Sequence, residues 1–492
     1  MTTSPRKPRH LVWLRADLRT IDNTALLAAC QDKNSEVACV YAITPGQWKK
    51  HDIAGVRVDF ELRTLRHLQS SFQKLHIPLL ILHSDDFNSL PAALAKLAKK
   101  HAVSTVFANR QYEINEQLRD EEAEAALALA GINLQLFHDQ CIVPPGNVRK
   151  PDGTAYSVFT PFKRNWQKVA GLGCRPQAAP IPRKSAYIES DKIPDNIKGH
   201  VSHIDAALAQ EWWPAGEELA LQRLASFVNA DLAHYLDRRD FPAQDGVSRL
   251  SPYLAIGTLS ARQCLNAALN HQVLYRRHHQ ESPGHEQWIS ELAWRDFYKH
   301  VLVAWPRVCR HRPFKLETDP VPWRHDEKDF RAWCEGRTGF PLVDAAMRQL
   351  ARTGWMHNRL RMVVAMFLTK DLFIDWRWGE QFFMQHLIDG DLSANNGGWQ
   401  WSASTGNDAA PYFRIFNPVA QSRKFDPEGH FIREYVPELR DLPSRDIHEP
   451  HGKSKAQVSL FSDYPAPIVD HALAHERVLQ SFKGLKGLQL PE

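Results

Sequence analysis

The chain has 492 residues, of which 43% are hydrophobic and 24% charged, and it carries a formal net charge of +5. This length exceeds one ordinary domain, so two domains with substantial cores are expected. No apolar run approaches the roughly 18 residues of a membrane span, and the basic segment Met1–His10 lacks the apolar core of a signal peptide. We therefore expect a soluble, cytoplasmic protein without a membrane partner, whose mild positive charge permits a polyanionic partner but does not require one.

The seven cysteines are scattered and form no CxxC pair, which indicates neither a disulfide framework nor a zinc site. Histidines are most concentrated at His278, His279 and His285, among arginine, proline and glycine. This composition favours a solvated loop over a metal centre, and no metal is expected.

The N-terminal part alternates strand and helix signals. The apolar runs that predict strands are His10–Leu14, Val37–Ile43, Pro78–Leu82 and Val103–Ala108. The periodic segments that predict helices between them are Phe60–Leu75, Leu90–Lys100 and Glu113–Leu129. Alternating β and α signals predict a doubly wound, parallel, Rossmann-like sheet in an α/β domain over residues 8–140. No GxGxxG follows the first strand, so the dinucleotide fingerprint is absent.

Prolines then interrupt every period over residues 141–210, which predicts an interdomain connector with a short helix at Thr160–Val169. Helical periods dominate residues 211–480 and predict an all-α domain. Its predicted helices are Gly216–Tyr235, Ser260–Asn270, Glu286–Val303, Phe340–Leu350 and Asn358–Leu372, with a break at Gly354.

The most informative stretch is residues 389–401, with two aspartates, two asparagines, three glycines and two tryptophans. The glycines allow the backbone to approach a ligand closely, the aspartates and asparagines can form hydrogen bonds, and the tryptophans offer flat rings for stacking. Together these properties suit a heteroaromatic ligand. A calcium loop is the competing interpretation, but Ala394 and Gln400 stand where an EF-hand requires glycine and glutamate. A polar surface loop is the other alternative.

Three further patterns accompany it. In the turn Gly246–Pro252, Ser251 is the expected N-cap and Pro252 the first helical residue, so that helix would begin with an anion site. Two helix faces also combine polar and large side chains at helical spacing. They are Trp288, Glu291, Trp294 and Arg295 on one helix, and Asn358, Arg361 and Met362 on another.

The run Gly354–Pro418 closely resembles the flavin-binding region of the DNA photolyase and cryptochrome family, and most closely photolyases that act on cyclobutane pyrimidine dimers, of the class I bacterial type. The resemblance extends from about His10 to Arg477. It implies an N-terminal antenna domain, a connector and a C-terminal helical FAD-binding domain in a monomeric, light-driven DNA repair enzyme. Light absorbed by the flavin or by an antenna would send an electron from reduced FAD to the dimer, both cyclobutane bonds would break, and the electron would return.

The resemblance also implies roles for individual residues. Asn395 would face flavin N5, Arg361 would be the counter-charge of Asp389, and Val247 stands where the family usually has threonine, which removes a hydrogen bond worth about 1 kcal/mol. The implied FAD-binding residues are Tyr235, Val247, Ser248, Arg249, Leu250, Ser251, Trp288, Arg295, Arg361, Asp389, Gly390, Asp391 and Asn395. Trp399, Trp376 and Trp323 match the family's electron-transfer chain from the flavin to the surface.

The implied substrate is ultraviolet-damaged DNA with the dimer flipped out of the duplex, as photolyases are known to do. Glu291 would hydrogen-bond the damaged bases and Trp294 would stack on them. The implied DNA-contacting residues are Arg239, Glu291, Trp294, Asn358, Arg359, Met362, Trp401, Gln421, Arg423 and Lys424. Asn358 and Met362 match enzymes for cyclobutane dimers, whereas enzymes for the (6-4) lesion have histidines at these positions.

An antenna chromophore is implied at Asn115 and Glu116, where relatives hold 5,10-methenyltetrahydrofolate, together with Cys309. Because folate binders often have Cys-Lys where this chain has Cys309-Arg310, a deazaflavin or an empty site stays an alternative. For the whole protein, the alternatives are a cryptochrome-like receptor, a (6-4) repair enzyme and a non-catalytic DNA-binding protein.

Overall fold

The computed structural model describes residues 7–171, 175–279, 281–451 and 463–484. The chain forms two compact units. The first unit comprises residues up to Ala233, Ser248–Pro306 and Ile388–Gly390, and the second comprises His234–Val247, Arg307–Leu387 and the residues from Asp391 onward. This division cuts across the boundaries at residues 140 and 210, which stay predictions.

The first unit contains a five-stranded sheet of β1 (Arg9–Leu14), β2 (Glu36–Ile43), β3 (Leu79–His83), β4 (Thr105–Asn109) and β5 (Asn133–Phe137). The strands are all parallel, in the order β3-β2-β1-β4-β5. Four consecutive residues of β1, Leu11 to Leu14, are buried, because helices cover both faces of such a sheet. The predicted doubly wound α/β fold is confirmed. The strand β5 was not predicted, since its alternating sequence NLQLF leaves much of its surface accessible.

The helices are given in chain order. They are α1 (Thr24–Cys30), α2 (Pro45–Lys50), α3 (Gly55–Lys74), α4 (Leu90–Lys100), α5 (Ile114–Leu129), α6 (Phe159–Ala170), α7 (Ala206–Trp212), α8 (Glu217–Ala230), α9 (Tyr235–Arg238), α10 (Ser251–Ala255), α11 (Ala261–Tyr275), α12 (Pro283–Ala304), α13 (Glu327–Cys334), α14 (Pro341–Thr353), α15 (Asn358–Met366), α16 (Trp376–His386), α17 (Leu392–Ala403), α18 (Pro418–Phe425), α19 (His430–Tyr435) and α20 (His471–Gly484).

Short 3-10 helices occur at Leu232–His234, Pro306–Arg310, Leu316–Thr318 and Pro437–Leu439, and a π-helix spans Phe367–Asp371. The predicted single helix Gly216–Tyr235 is wrong, because α8 ends at Ala230 and a 3-10 turn separates it from α9. The predicted break at Gly354 is confirmed: this glycine ends α14 in the left-handed conformation, at φ 68°.

Two other sequence interpretations require correction. Ser251 is the first residue of α10 and Leu250 is its N-cap, without a side-chain cap, so the predicted start was misplaced by one residue. His285 is fully buried within α12 and not in a solvated loop, whereas His278 and His279 are exposed. The ring of His285 pairs with His271 at 2.8 Å (Nε2 to Nδ1).

A buried charge network ties the sheet part of the first unit to its helices. Asp139 accepts from Arg19 at 2.5 Å and from Arg262, in the first turn of α11, at 2.8 Å. Burial alone would raise the pKa of Asp139, but the two guanidinium groups hold this pKa well below its usual range. Arg262 also pairs with Asp22 at 3.0 Å. Removing one partner from such a network leaves an uncompensated charge, which is strongly destabilising.

The second unit packs around an aromatic core formed by α13 to α17, the π-helix and α20. Trp333, Trp376 and Trp399 are all buried in it. Within the described part of the chain, no helix is both long and apolar enough to span a membrane.

Candidate functional site

The polar stretch of residues 389–401 is largely helical, because α17 begins directly after Asp391. The Asp391 carboxylate is the N-cap: it accepts from the backbone N–H of Ala394 at 3.1 Å and from the Ser393 hydroxyl. A capping carboxylate satisfies an exposed helix N–H and favours the positive end of the helix dipole. The apparent loop composition therefore belongs to a capped helix whose polar residues are positioned by backbone geometry.

Two asparagines on α17 are held by Glu380 of α16. Asn395 donates from Nδ2 to the Glu380 carbonyl at 2.9 Å, and Asn396 donates from Nδ2 to the Glu380 carboxylate at 2.8 Å. The second carboxylate oxygen pairs with His311 Nδ1 at 2.8 Å. Glu380 is buried, so these bonds satisfy its polar atoms away from water. They fix the amide plane of Asn395, which stays half-buried.

The helix face that carries Asn395 borders open space. Gly398 lies three residues further along α17, on the same face, and a Cβ added to this glycine would meet nothing within 4 Å. A fixed amide beside an uncrowded backbone fits a flat, hydrogen-bonding ring system. This arrangement suits the flavin that the sequence implies.

Trp399, one turn after Asn395 on α17, is packed tightly. The Trp399 ring lies against Gly379 of α16 and contacts Phe383 at 5.0 Å and Trp333 at 6.0 Å between ring centroids. Trp399, Trp376 and Trp323 belong to one continuous core, with 2%, 0% and 8% of their surfaces exposed. The three predicted electron-transfer tryptophans are thus brought into one cluster, of which Trp323 is the most accessible.

Helix α15 presents the residues that the sequence assigns to the lesion. Its N-cap is His357, whose Nδ1 accepts from the Arg359 backbone N–H at 3.2 Å. Asn358 is exposed and Met362 is half-buried, and they lie on one face at i and i+4. Arg361 donates from Nε to the Met356 carbonyl at 2.8 Å. The pairing of Arg361 with Asp389 stays a prediction.

Arg359 is held on two sides. Its Nη2 lies 2.8 Å from the Asp240 carboxylate, and its guanidinium lies 4.4 Å from the centroid of the Phe425 ring. Arg239 also approaches Asp240, at 3.7 Å from its Nε, and lies 5.5 Å from the ring centroid of the buried Tyr235. Two predicted DNA-contacting arginines therefore share one carboxylate.

Helix α12 in the first unit places Glu291 and Trp294 one turn apart, both half-buried. Glu291 accepts from Gln287 Nε2 at 2.8 Å. Trp294 stacks on Phe159 at 3.6 Å, with 9° between the planes, so one face of the indole is already covered. Arg295 is tied to the Gln140 carbonyl at 2.5 Å.

The same helix is anchored by the buried Asp296, which accepts from the backbone N–H groups of Ile142 and Val143 at 3.3 and 2.9 Å and from the Trp166 indole at 2.9 Å. Burial raises the pKa of this carboxyl. The anchor orients α12 and, with it, the predicted lesion residues.

The predicted anion turn has one residue in an unusual conformation, Arg249 with φ 49°. Ser248 is half-buried, Arg249 and Ser251 are exposed, and Leu250 is buried. Val247 belongs to the second unit and Ser248 to the first. The role of the turn in phosphate binding stays a prediction.

The predicted antenna residues come together with a histidine that sequence reasoning missed. His51 Nε2 lies 3.0 Å from Asn115 Nδ2, and His51 Nδ1 lies 3.4 Å from the Glu116 carboxylate. Burial, reinforced by Glu113, raises the pKa of Glu116 to about 7, and burial lowers the pKa of His51. Lys299 of α12 pairs with Glu113 at 2.7 Å.

The other predicted site residues are dispersed. Trp288 is buried against Phe227, Gly390 accepts from Arg57 through its carbonyl, and Asp389 is buried. The half-buried residues are Cys309, Trp401 and Gln421. Among the residues that the structure describes, no group of three or more histidine, cysteine, aspartate or glutamate side chains is arranged to hold a metal ion.

Two family models match the sequence: "DNA photolyase" over residues 10–183 and "FAD binding domain of DNA photolyase" over residues 288–484. The chain belongs to the DNA photolyase family. Its C-terminal part therefore carries a FAD-binding domain. The deoxyribodipyrimidine photo-lyase of Vibrio cholerae is 46% identical over 483 residues, which cover 97% of this chain and 100% of that protein.

Solved structures of photolyase-family proteins agree with this assignment. A bacterial class III photolyase from Agrobacterium tumefaciens is 34% identical with a TM-score of 0.87, covering 99% of this chain and 100% of that one. A cryptochrome from Synechocystis is 29% identical, also with a TM-score of 0.87, covering 98% and 100%. The fold alone therefore does not separate repair from signalling.

Sequence reasoning missed the polar residues that position the predicted ones in this photolyase-family chain. Glu380, His51 and Asp240 contact the predicted residues Asn395, Asn115 and Arg359, which lie 15 or more residues away in the sequence, and His311 contacts Glu380. No motif marks them. Only Asp240 had a local signal, because it directly follows the predicted Arg239.

Proposed function

We propose that this protein is a FAD-dependent, light-driven deoxyribodipyrimidine photo-lyase, which splits cyclobutane pyrimidine dimers in ultraviolet-damaged DNA. The observation that carries the proposal is the 46% identity, along nearly the whole of both chains, with the deoxyribodipyrimidine photo-lyase of Vibrio cholerae. Asn358 and Met362, on one face of α15, support the cyclobutane dimer over the (6-4) lesion.

In the second unit, Tyr235 and the start of α17 would hold the FAD. Bound reduced FAD would supply the electron that a photon makes available to the lesion. The chain's own task at this site is to hold and tune the cofactor. Asn395, fixed by the Glu380 carbonyl, would present an amide to flavin N5. Because an amide has no acidic proton to donate, we expect Asn395 to favour the fully reduced anionic flavin.

The predicted lesion-binding residues would contact a pyrimidine dimer that is flipped out of the duplex. Extruding a poorly stacked lesion costs less than extruding a normal pair, which contributes to selectivity. Glu291, held by Gln287, would form hydrogen bonds with the damaged bases. Trp294, covered on one face by Phe159, would stack on the damaged bases, and Trp401 would also contact the lesion. Basic groups such as Arg239, Arg359 and Arg423 would contact the backbone phosphates.

A folate antenna would be bound at the cluster of His51, Asn115 and Glu116. An amide and a carboxyl side by side match the alternating donors and acceptors of a pterin ring. The chemical identity of the chromophore, 5,10-methenyltetrahydrofolate or a deazaflavin, is decided by the absorbance spectrum of the purified protein. Residues 8–140 would form this antenna domain, residues 141–210 the connector and residues 211–480 the FAD-binding domain of a monomer.

The proposal is tested by recovery of thymine absorbance in ultraviolet-irradiated oligothymidylate. Chemically reduced protein is incubated with the oligonucleotide in blue light, with a dark sample as the control. Light-dependent recovery is expected. No recovery from protein that contains reduced FAD and binds the irradiated DNA would overturn the repair function.

The second candidate is a cryptochrome-like receptor, which the matching fold of the Synechocystis cryptochrome favours. Such a receptor binds the same cofactor without repairing DNA. Failure of the repair assay, together with a light-dependent change in proteolytic cleavage pattern, would support this alternative.

A further inference from the structure

We propose that Asp240 determines the selectivity of this protein for damaged over undamaged DNA. In this inference, which rests on the proposed function, Asp240 holds Arg239 and Arg359 as a preformed phosphate clamp and cancels part of their charge. Asp240 is a positioning residue that acts through the two arginines.

The carboxylate of Asp240 contacts both arginines. The distances are 2.8 Å from Oδ2 to Arg359 Nη2 and 3.7 Å from Oδ1 to Arg239 Nε. The two carboxylate oxygens thus face one arginine each. A guanidinium offers several donors in a rigid fork, so Arg359 can contact an added phosphate without first leaving Asp240.

The clamp is rigid because its parts are packed against each other. Arg359 lies over the Phe425 ring, and Phe241, the residue after Asp240, contacts the same ring edge-on at 6.4 Å. Only 17% of the Arg359 side chain is exposed, against 33% for Asp240, and Arg359 Nε is buried without a hydrogen-bond partner among the described residues. The guanidinium therefore points in one direction before DNA arrives.

The turn that carries Asp240 is also fixed by its backbone. Phe241 N–H donates to the Arg238 carbonyl at 3.1 Å, and a Cβ at Gly246 would lie 2.5 Å from the Arg238 Cβ. The chain from Arg238 to Gly246 therefore folds back closely on α9. Such a turn fixes the backbone of Asp240, and the contacts with Arg359 and Arg239 then hold its carboxylate.

Two consequences for DNA binding follow. Undamaged DNA is attracted by net positive charge, through release of counterions from the phosphates, so an internal carboxylate at the clamp weakens this binding. The distorted backbone beside an extruded dimer places a phosphate directly on the clamp. Because the two arginines are already fixed, their side chains lose less entropy when this phosphate binds, and this compensates for the reduced charge of the clamp. Asp240 therefore weakens the binding of undamaged DNA more than the binding of damaged DNA.

The test measures dissociation constants for one duplex with and without a single thymine dimer, at several salt concentrations in the dark. For Asp240→Asn, we expect affinity for undamaged DNA to rise about threefold near 0.1 M salt and the slope of log K against log salt to steepen by about 0.9, the effect of one added phosphate contact. Affinity for dimer DNA is expected to change by less than about twofold. The ratio of the two constants should therefore fall about threefold if affinity for dimer DNA is unchanged, and at least about 1.5-fold if it rises twofold.

Matched variants separate this role from simple charge. Asp195→Asn makes the same charge change at an exposed pair with Arg66, 3.4 Å away, and is expected to keep the wild-type ratio. Asp240→Glu keeps the charge and is expected to restore most of the ratio. In an Arg359→Gln background, Asp240→Asn is expected to change the ratio no further.

The proposal is overturned by an unchanged ratio in folded Asp240→Asn, by an equal fall in Asp195→Asn, or by additive effects in the Arg359→Gln background. Should Asp240→Asn not fold, Arg359→Lys keeps the charge but loses the fork, and a wild-type ratio in that variant would overturn the proposal. If the wild-type protein repairs irradiated oligothymidylate but Asp240 variants keep the wild-type ratio of dissociation constants, this inference is refuted and the proposed function is not. A wild-type protein with no preference for dimer DNA refutes the proposed function.

Discussion

Gly379 and Trp399 lie in such close contact that a Cβ on Gly379 would stand 2.1 Å from the Trp399 Cη2 atom. The glycine is inside α16, where it weakens a helix relative to alanine. Its presence is explained by the indole ring that occupies the place of the missing side chain.

We therefore expect Gly379→Ala to destabilise the protein by about 1–3 kcal/mol, because an overpacked core must shift. The displaced Trp399 ring should also slow photoreduction of oxidised flavin several-fold, because Trp399 is a predicted member of the electron-transfer chain. Thermal unfolding and the rate of flavin bleaching under blue light measure the two effects.

Two variants control this result. Gly171→Ala lies at a helix end with φ −69° and no atom closer than 3.5 Å, so its stability should change by no more than about 0.5 kcal/mol. Trp399→Phe should block photoreduction but spare repair by pre-reduced protein. Normal photoreduction in Trp399→Phe would remove this residue from the electron route.

Replacing Glu291 tests the lesion face of α12. Glu291→Ala should lower the number of dimers repaired per absorbed photon by several-fold while flavin content stays at the wild-type level, because the side chain is assigned to the damaged bases. The matched control is Glu286→Ala on the same helix, where the carboxylate forms an exposed pair with Arg276 at 2.7 Å. An undiminished yield in Glu291→Ala would exclude this carboxylate from repair.

Glu116 should make stability depend on pH. Burial raises the pKa of its carboxyl from an ordinary value of 4.5 to about 7, so the folded protein binds this proton more tightly than the unfolded chain does. The sign is therefore a loss of stability that begins as pH rises through 4.5 and is complete above about 7.

Glu116→Gln removes that charge and should stabilise the antenna-free protein at pH 8 by on the order of 2 kcal/mol, with no gain below the unfolded pKa of Glu116. Chemical denaturation of Glu116→Gln and the wild type, at pH 8 and at a pH below the unfolded-state pKa of Glu116, measures the difference in stability. An equal effect at both pH values would assign the change to packing and not to the proton.

His471 should release the C-terminal helix α20 at high pH. Its Nδ1 lies 2.5 Å from the buried Asp371 carboxylate, and this hydrogen bond raises the pKa of His471. A raised pKa means that the stabilisation is present below the ordinary value near 6.5 and is lost as pH rises through the folded-state pKa.

His471→Ala should cost about 2 kcal/mol at pH 6, since a hydrogen bond between charged groups is lost, and much less above the folded-state pKa. Hydrogen exchange of α20 amides against pH monitors this step. The neighbouring variant His475→Ala, which has no hydrogen bond to Asp371 among those of the described chain, provides the control. Protection of α20 that does not vary with pH in the wild type would contradict the prediction.

The fold class followed from sequence patterns alone, whereas the roles of the individual site residues stay predictions. Alternating apolar runs and helical periods sufficed for β1 to β4 and for most long helices, because side-chain burial follows backbone periodicity directly. The sequence motifs around Asn358 and in Asp389–Trp401 were sufficient to recognise the family. The exposed strand β5 and the start of α17 escaped this reasoning, since one lacks a buried run and the other has the composition of a loop.

The distant residues that hold the predicted site residues in place are identified only by how the helices and turns pack. Glu380 fixes Asn395, Asp240 fixes Arg359, and His51 contacts Asn115 and Glu116, although the partners are 15 or more residues apart in the chain. Such contacts depend on how helices and turns pack, and a single buried or half-buried polar residue carries no periodic signal. The physical reason is that hydrogen bonds and ion pairs are specified by three-dimensional distance, whereas periodicity reports only local burial.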